Sequence, residues 1–502
     1  MSLLGRNIAS SFGARTITSL LAFLFIPVYL RILGIEAWGL IAFSLTLQGI
    51  LVVFDVGLGL TLNRELARLP RGEAPHPEAR DLIRTFEIVS WSIAVLAGAV
   101  VILASPWIAR AWIHPEGLTR SSVETSIRLM GVMLGLQIPF WLYRGGLFGL
   151  EQHVILNAVT VGAAAFRHAG AAAILLLISP TVEAYFRWSI AAVALQTMLG
   201  GAALWSAMGG RFPSARFRLP LLVRSASFTA AISINALVAP VLGQIDKIVL
   251  SAAIPLAGFG VYSLAWTLAA ALWMLISPVT TAVFPAFARL TEEKNEAELS
   301  RLYHSLAQGV TALVAPIAMV LLFFPGEIVF LWSGDPDTAA RAAGVLRNLA
   351  IGTTLTGVAS LPITLQMAAG MPRLVLLTNL AAVCALVPAA LLIAPRFGGE
   401  GMALLWVALG LAYVLVTAPA MHRFILRNEY ARWLIRDLLV PGAAAAGAMS
   451  LWRLAAPSPL GRGAIPLLIA AWATATALTL LVSPEVRRRL VAILGRWNEP
   501  ER

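Results

Sequence analysis

Apolar windows about twenty residues long recur fourteen times along this chain, separated mostly by short loops. A helix of that length covers a hydrocarbon core of roughly 30 Å. A chain divided in this way meets lipid, not water, over most of its surface. The composition agrees: 59% of the 502 residues are hydrophobic and 12% charged, whereas a soluble domain carries roughly 25% charged residues. In lipid, backbone amides must be satisfied within the chain, and windows of this length do so as helices. The expected fold class is an all-α integral membrane protein with about 14 transmembrane helices.

The first six windows are 12–30, 37–58, 86–107, 122–142, 155–178 and 188–208. Six more follow at 225–244, 258–281, 306–324, 342–365, 374–393 and 401–419, then a short Ala/Gly-rich one at 438–452 and a last at 465–481. The run that follows Arg6 is long, carries Arg15 and lacks a small-residue cleavage site, so it reads as a first span and not as a cleaved signal. The polar stretch 291–300 (TEEKNEAELS) reads as a short helix between the eighth and ninth spans.

The net charge is +12, and Lys247 and Lys294 are the only lysines. In a soluble protein this balance would suggest nucleic acid. Here the arginines gather on alternate loops, as in Arg64, Arg68, Arg71, Arg80 and Arg84, then Arg211, Arg216, Arg218 and Arg224, then Arg487 to Arg489. That alternation is a topology signal. It places both termini in the cytoplasm and predicts no nucleic-acid partner. The single cysteine, Cys384, excludes a disulfide or a cysteine metal site within one chain.

An offset near 220 residues aligns the chain with itself. Ser11-Phe12 meets Ser227-Phe228, Arg31 meets Lys247, Gly39 meets Gly260, Arg128 meets Arg347, and Asn157 meets Asn379. The matches keep their order and describe two six-helix lobes, 1–210 and 211–424, related by a pseudo-twofold axis along the membrane normal. Residues 425–502 add two helices and a basic cytoplasmic tail. Parallel repeats of this kind belong to transporters that rock two halves around a central site.

An arginine at mid-membrane costs roughly 2.5–3.5 kcal/mol and needs a reason to be there. Arg167, followed by His168, lies deep in the fifth window. Arg128 and its mate Arg347 lie within the fourth and tenth, and Arg15 lies near the inner end of the first. Acids at depth are fewer: Asp55, a candidate partner for Arg15, and Asp246 beside Lys247 at the outer end of the seventh. Arg15, Arg31, Asp55, Arg128, Arg167, Asp246, Lys247 and Arg347 are therefore the candidate lining of a cavity. An excess of guanidinium suits phosphate oxygens.

No GxxxxGK[ST] motor loop, HExxH or cysteine pair is present, so neither a cofactor nor a metal is expected. His76 and His304 read as single surface loop residues, and Asp335 and Asp337 as a turn instead of a catalytic pair.

The opening, Asn7, Ser10-Ser11, Pro27-Val28-Tyr29-Leu30, Leu33-Gly34, Trp38-Gly39 and Asp55-Val56-Gly57-Leu58, resembles the polysaccharide-unit flippases of O-antigen and exopolysaccharide type. These form part of the multidrug, oligosaccharidyl-lipid and polysaccharide exporter superfamily. Asp246-Lys247, Gly258 and Gly260-Val261-Tyr262 echo the pattern. The resemblance implies alternating access through a cationic cavity in the bacterial inner membrane. It implies a substrate of sugars on undecaprenyl pyrophosphate, and no enzymatic activity. By analogy with the family, the partners are a polymerase and a chain-length regulator, and a coupling ion, proton or sodium, is compatible. In related lipid II flippases the last two helices help guide the lipid tail; the short thirteenth window departs from that pattern. Two exporters, of lipid II or of small molecules, are the alternative readings, and a membrane polymerase or ligase is a more distant one.

Overall fold

The computed structural model describes residues 3–68, 77–209, 215–456 and 464–488, with side chains for all of these except 3–9, 12, 52–56, 77 and 225–241. Among the described residues there is no strand, and the chain divides into two compact units, Met1–Gly260 and Val261–Arg502.

The first unit holds α1 (Leu3–Ala67), α2 (Pro77–Trp107), α3 (Arg120–Gly149), α4 (His153–Leu177), α5 (Val182–Ala207) and α6 (Leu219–Ala253). Gly34 divides α1 into two helices, taking a φ of 82° that residues with a Cβ rarely adopt. α1 thus supplies the first two windows. It packs on α3, α4 and α6, while α2 packs on α3 and α3 on α5. Without a hydrophobic drive between helices in lipid, close approach depends on small residues. At the α2–α3 contact, a Cβ on Gly98 would lie 2.9 Å from the Gly131 carbonyl oxygen. Gly98→Val should therefore destabilise the protein by roughly 1–3 kcal/mol, the usual effect of overpacking. A thermal melt of the solubilised protein measures this, and an unchanged melting temperature would contradict the packing argument.

Residues 256–292 form α7 (Leu256–Glu292), which crosses the division between the units. The second unit continues with α8 (Glu296–Phe323), α9 (Pro325–Ser333), α10 (Pro336–Ala368) and α11 (Pro372–Ala412). After these come α12 (Ala418–Phe424), α13 (Tyr430–Arg432), α14 (Val440–Ala455) and α15 (Ala464–Val482). π-helical turns run through Tyr413–Thr417 and Trp433–Leu439. Gly398, at a φ of 53°, divides α11 into the eleventh and twelfth windows. Asp335 caps α10, accepting the Thr338 amide at 3.0 Å, and hydrogen bonding from Thr338 holds its carboxyl below the usual range.

Among the described residues, eleven helical stretches are long and apolar enough to cross a membrane. The stretches divided at Gly34 and Gly398 each contain two of the windows, and α6 occupies the seventh. The chain is thus an all-α multi-pass membrane protein with fourteen long helices.

Three expectations are corrected. The stretch 291–300 is no helix of its own: α7 runs to Glu292, Lys294 turns the chain at a φ of 53°, and Asn295 caps α8 by accepting the Glu298 amide. The thirteenth span is not short, because helix continues from Tyr430 to Ala455, 26 residues. Arg432, Arg436 and Asp437 had broken the apolar window, yet Asp437 is fully buried and Arg432 is ion-paired to Glu429 at 3.2 Å.

His304 is the third correction. It lies within α8 and is fully buried, not in a surface loop. Its Nδ1 meets Asp437, its Nε2 meets Glu429 at 2.8 Å, and Gln308 donates to Asp437 at 2.8 Å. Burial opposes ionisation of Glu429, but hydrogen bonds from Ser300, His304 and Arg432 prevail and hold it below the usual carboxylate range. His76 lies outside the described residues.

Candidate functional site

Arg167 sits in the middle of α4, a helix of alanines and branched aliphatics with almost no other charge. Helical spacing brings it against the start of α5. There its Nη2 donates to the Tyr185 hydroxyl at 3.5 Å, while its Nε is sealed from solvent and bonded to nothing. No carboxylate pairs with it among the described residues. The next residue, His168, lies against α1: the buried Tyr29 hydroxyl contacts its Nδ1 at 3.1 Å and its carbonyl oxygen at 3.2 Å.

Aromatic rings frame the pair. Tyr29 meets the edge of Tyr185 at 5.2 Å, Phe25 stacks on the His168 ring at 5.9 Å, and Trp188 leans on Phe166 at 4.7 Å. Towards the start of α4 the same seam becomes hydroxyl and amide. Asn157 donates to Ser10 at 2.9 Å and to Ser11 at 3.3 Å, and Ser11 lies 3.4 Å from His153 Nδ1. The α1–α4–α5 seam therefore joins an unneutralised guanidinium, two phenols and a row of small polar groups inside a membrane protein. Such a surface suits an anion that carries hydroxyls.

A family profile described as "Polysaccharide biosynthesis protein" matches residues 4–291, more than half of the chain and all of this seam. This chain belongs to the polysaccharide biosynthesis protein family. The "Putative O-antigen transporter" of Shigella flexneri is similar to it, at 22% identity over 406 residues, covering 81% of this chain and 94% of that protein. Among solved structures, the lipid II flippase MurJ in an inward closed conformation superposes with a TM-score of 0.68 at 12% identity, covering 97% of this chain and 99% of that one. An inward-facing multidrug resistance MATE family transporter of the MOP superfamily gives 0.67 at 14% identity, covering 84% and 98%. At these identities the likeness is one of fold.

The other candidate residues of this polysaccharide biosynthesis protein lie in different surroundings. Arg15 and Arg31 are exposed on α1. Asp55 falls among the residues whose side chains are not described, so its pairing with Arg15 lies outside the described structure. Arg128 does not join Arg167; it pairs with Glu124 one turn before it at 2.5 Å and reaches Ser105 at 3.3 Å. Asp246 and Lys247 are both buried on α6, 3.2 Å apart, with Lys247 also donating to the Gly243 carbonyl. Arg347 belongs to the second unit.

Some polar groups of the family member were missed in its sequence. Tyr29 stands in the sequence only as part of the opening motif and Tyr185 as one aromatic among many; only the approach of α1, α4 and α5 brings them to Arg167 and His168. Glu87 stands near the edge of its window, yet it is buried. It accepts from Tyr143 at 2.7 Å, Trp205 at 3.3 Å and Arg84 at 2.8 Å, beside a cavity of about 1150 Å³. A carboxylate held by aromatics from two other helices leaves no local signature.

Proposed function

We propose that this chain is a flippase. It moves oligosaccharide repeat units on undecaprenyl pyrophosphate from the cytoplasmic to the periplasmic leaflet of the bacterial inner membrane, for surface polysaccharide assembly. The observation that carries this reading is Arg167: a guanidinium within a span, bonded to a phenol and not to an acid. An exporter of cations has no use for it, whereas a pyrophosphate does. The polysaccharide family and the O-antigen transporter relative support a saccharide cargo and a transport role.

In this reading both termini are cytoplasmic and the six-helix halves 1–210 and 211–424 alternate access to the seam. Moving one negative charge outward gains roughly 2.3 kcal/mol per 100 mV of inside-negative potential. A pyrophosphate can thus leave without a nucleotide motor. A proton or sodium ion could add to that drive, and a polymerase and chain-length regulator would receive the product.

The test is deletion of the gene, followed by probing spheroplasts with an impermeant lectin beside lipid extracted from the same cells. The expected result is a sugar lipid that accumulates but stays shielded until the cells are broken. If the lipid is unchanged or fully accessible, the reading fails. Arrest of cell-wall synthesis instead would favour the lipid II alternative, and sensitised drug efflux the multidrug one.

A further inference from the structure

A second cavity, of about 540 Å³, opens in the second unit between the end of α8, α9, the first turns of α10 and the last turn of α14. Its wall is almost wholly apolar, with Phe323, Phe330, Ala339 and Ala343 as the principal surfaces. Three charged residues line it. Arg453 pairs with Glu327 at 2.5 Å and lies over the Phe324 ring at 5.3 Å. Arg347 donates its Nε to the Leu322 carbonyl at 3.3 Å and forms no ion pair among the described residues. Glu327 thus serves Arg453, and the charge of Arg347 is left without an acid among the described residues.

Arg347 stands about three turns into α10, beyond the reach of the Asp335–Asp337 cap. Its side chain is exposed, and its one hydrogen bond, worth about 1 kcal/mol, goes to a neutral carbonyl that leaves the charge uncompensated. An anion that carries apolar chains would meet both this charge and the apolar wall. The lining contains no serine, threonine, asparagine or glutamine, so nothing there recognises sugar hydroxyls. Free phosphate would leave the phenyl and alanyl surface without a partner.

We propose that this cavity binds an anionic phospholipid, its phosphate on Arg347 within the field of Arg453 and an acyl chain against Phe323, Phe330 and Ala339. Arg453 comes from α14, whereas the other lining residues come from α8, α9 and α10. The bound lipid therefore ties the C-terminal helix pair to the rest of its unit. This site is separate from the Arg167 seam and does not depend on what the seam carries.

The experiment is a thermal melt of the full-length protein in detergent, titrated with dioleoyl phosphatidylglycerol, with dioleoyl phosphatidylcholine, or with inorganic phosphate. Phosphatidylglycerol should raise the melting temperature more than the other two. Arg347→Gln should raise its half-saturating concentration about tenfold, the worth of a charged hydrogen bond. Ala340→Trp, which keeps both arginines and obstructs the cavity, should abolish the response and serves if Arg347→Gln does not fold. Wild-type responses in both variants would overturn the proposal. So would an equal shift with phosphatidylcholine, which would show that charge is irrelevant, or with inorganic phosphate, which would show a free-anion site.

Discussion

Arg167→Met is expected to lower delivery of the sugar lipid to the outer leaflet about ten- to hundredfold, the worth of a charge-assisted hydrogen bond of roughly 1.5–3 kcal/mol. The same substitution is expected to leave the melting temperature unchanged or raise it. The two signs differ because Arg167 is unfavourable where it stands: its Nε is buried without a partner and its Nη2 reaches a phenol only at 3.5 Å. Removing it relieves roughly 2.5–3.5 kcal/mol of insertion penalty, and methionine keeps the length of the side chain. Stability held in reserve at a functional position is what such a trade-off looks like. Arg167→Lys should be intermediate, since it keeps the charge but loses the planar fork. The measurement pairs the lectin accessibility assay with a melt of the purified variant at matched expression. Full activity in Arg167→Met would remove the residue from the site. A large fall in melting temperature would make it structural.

His304→Ala is expected to have the largest effect on stability, a loss of about 3–5 kcal/mol, because it strands the fully buried Asp437 carboxylate with Gln308 as its remaining partner. His304 lies between the two carboxyl groups, one ring nitrogen against Asp437 and the other against Glu429. Arg432 also reaches Glu429, at 3.2 Å. Those bonds hold the π-helical turn Trp433–Leu439, and with it the start of α14, against α8. The double variant His304→Leu/Asp437→Leu should recover most of the loss, since removing both members of a buried pair is far less harmful than removing one. Melts of the two single variants and the double variant form the cycle that measures this. Equal destabilisation in the single and double variants would show that the pair itself contributes nothing and that only packing was lost.

This cluster also shows where reading along the chain fails. Asp437 and Arg436 shortened the apparent thirteenth window because hydropathy counts each charge as though it faced lipid. Whether it does depends on a histidine 133 residues away. His304 was misread for the complementary reason: it is flanked by the polar stretch that opens α8, and nothing nearby announces its carboxylates. Arg128 and Arg347 look equivalent by repeat position. One is satisfied by Glu124 a turn earlier on its own helix, while the other faces an apolar cavity with no acid of its own.

By itself the sequence determined the membrane class, the number and order of the helices, the family and the place of Arg167 within an apolar window. Each rests on something local, since lipid admits helices and little else, and an apolar window is a property of consecutive residues. Only the tertiary structure decided which charges are neutralised and which are not. It set Tyr29, His168 and Tyr185 around Arg167, enclosed Asp437 with His304, and paired Glu327 with Arg453 and not with Arg347. Compensation of a buried charge depends on groups a few ångströms away in space, and in a bundle of long helices those groups come from segments far apart in the chain.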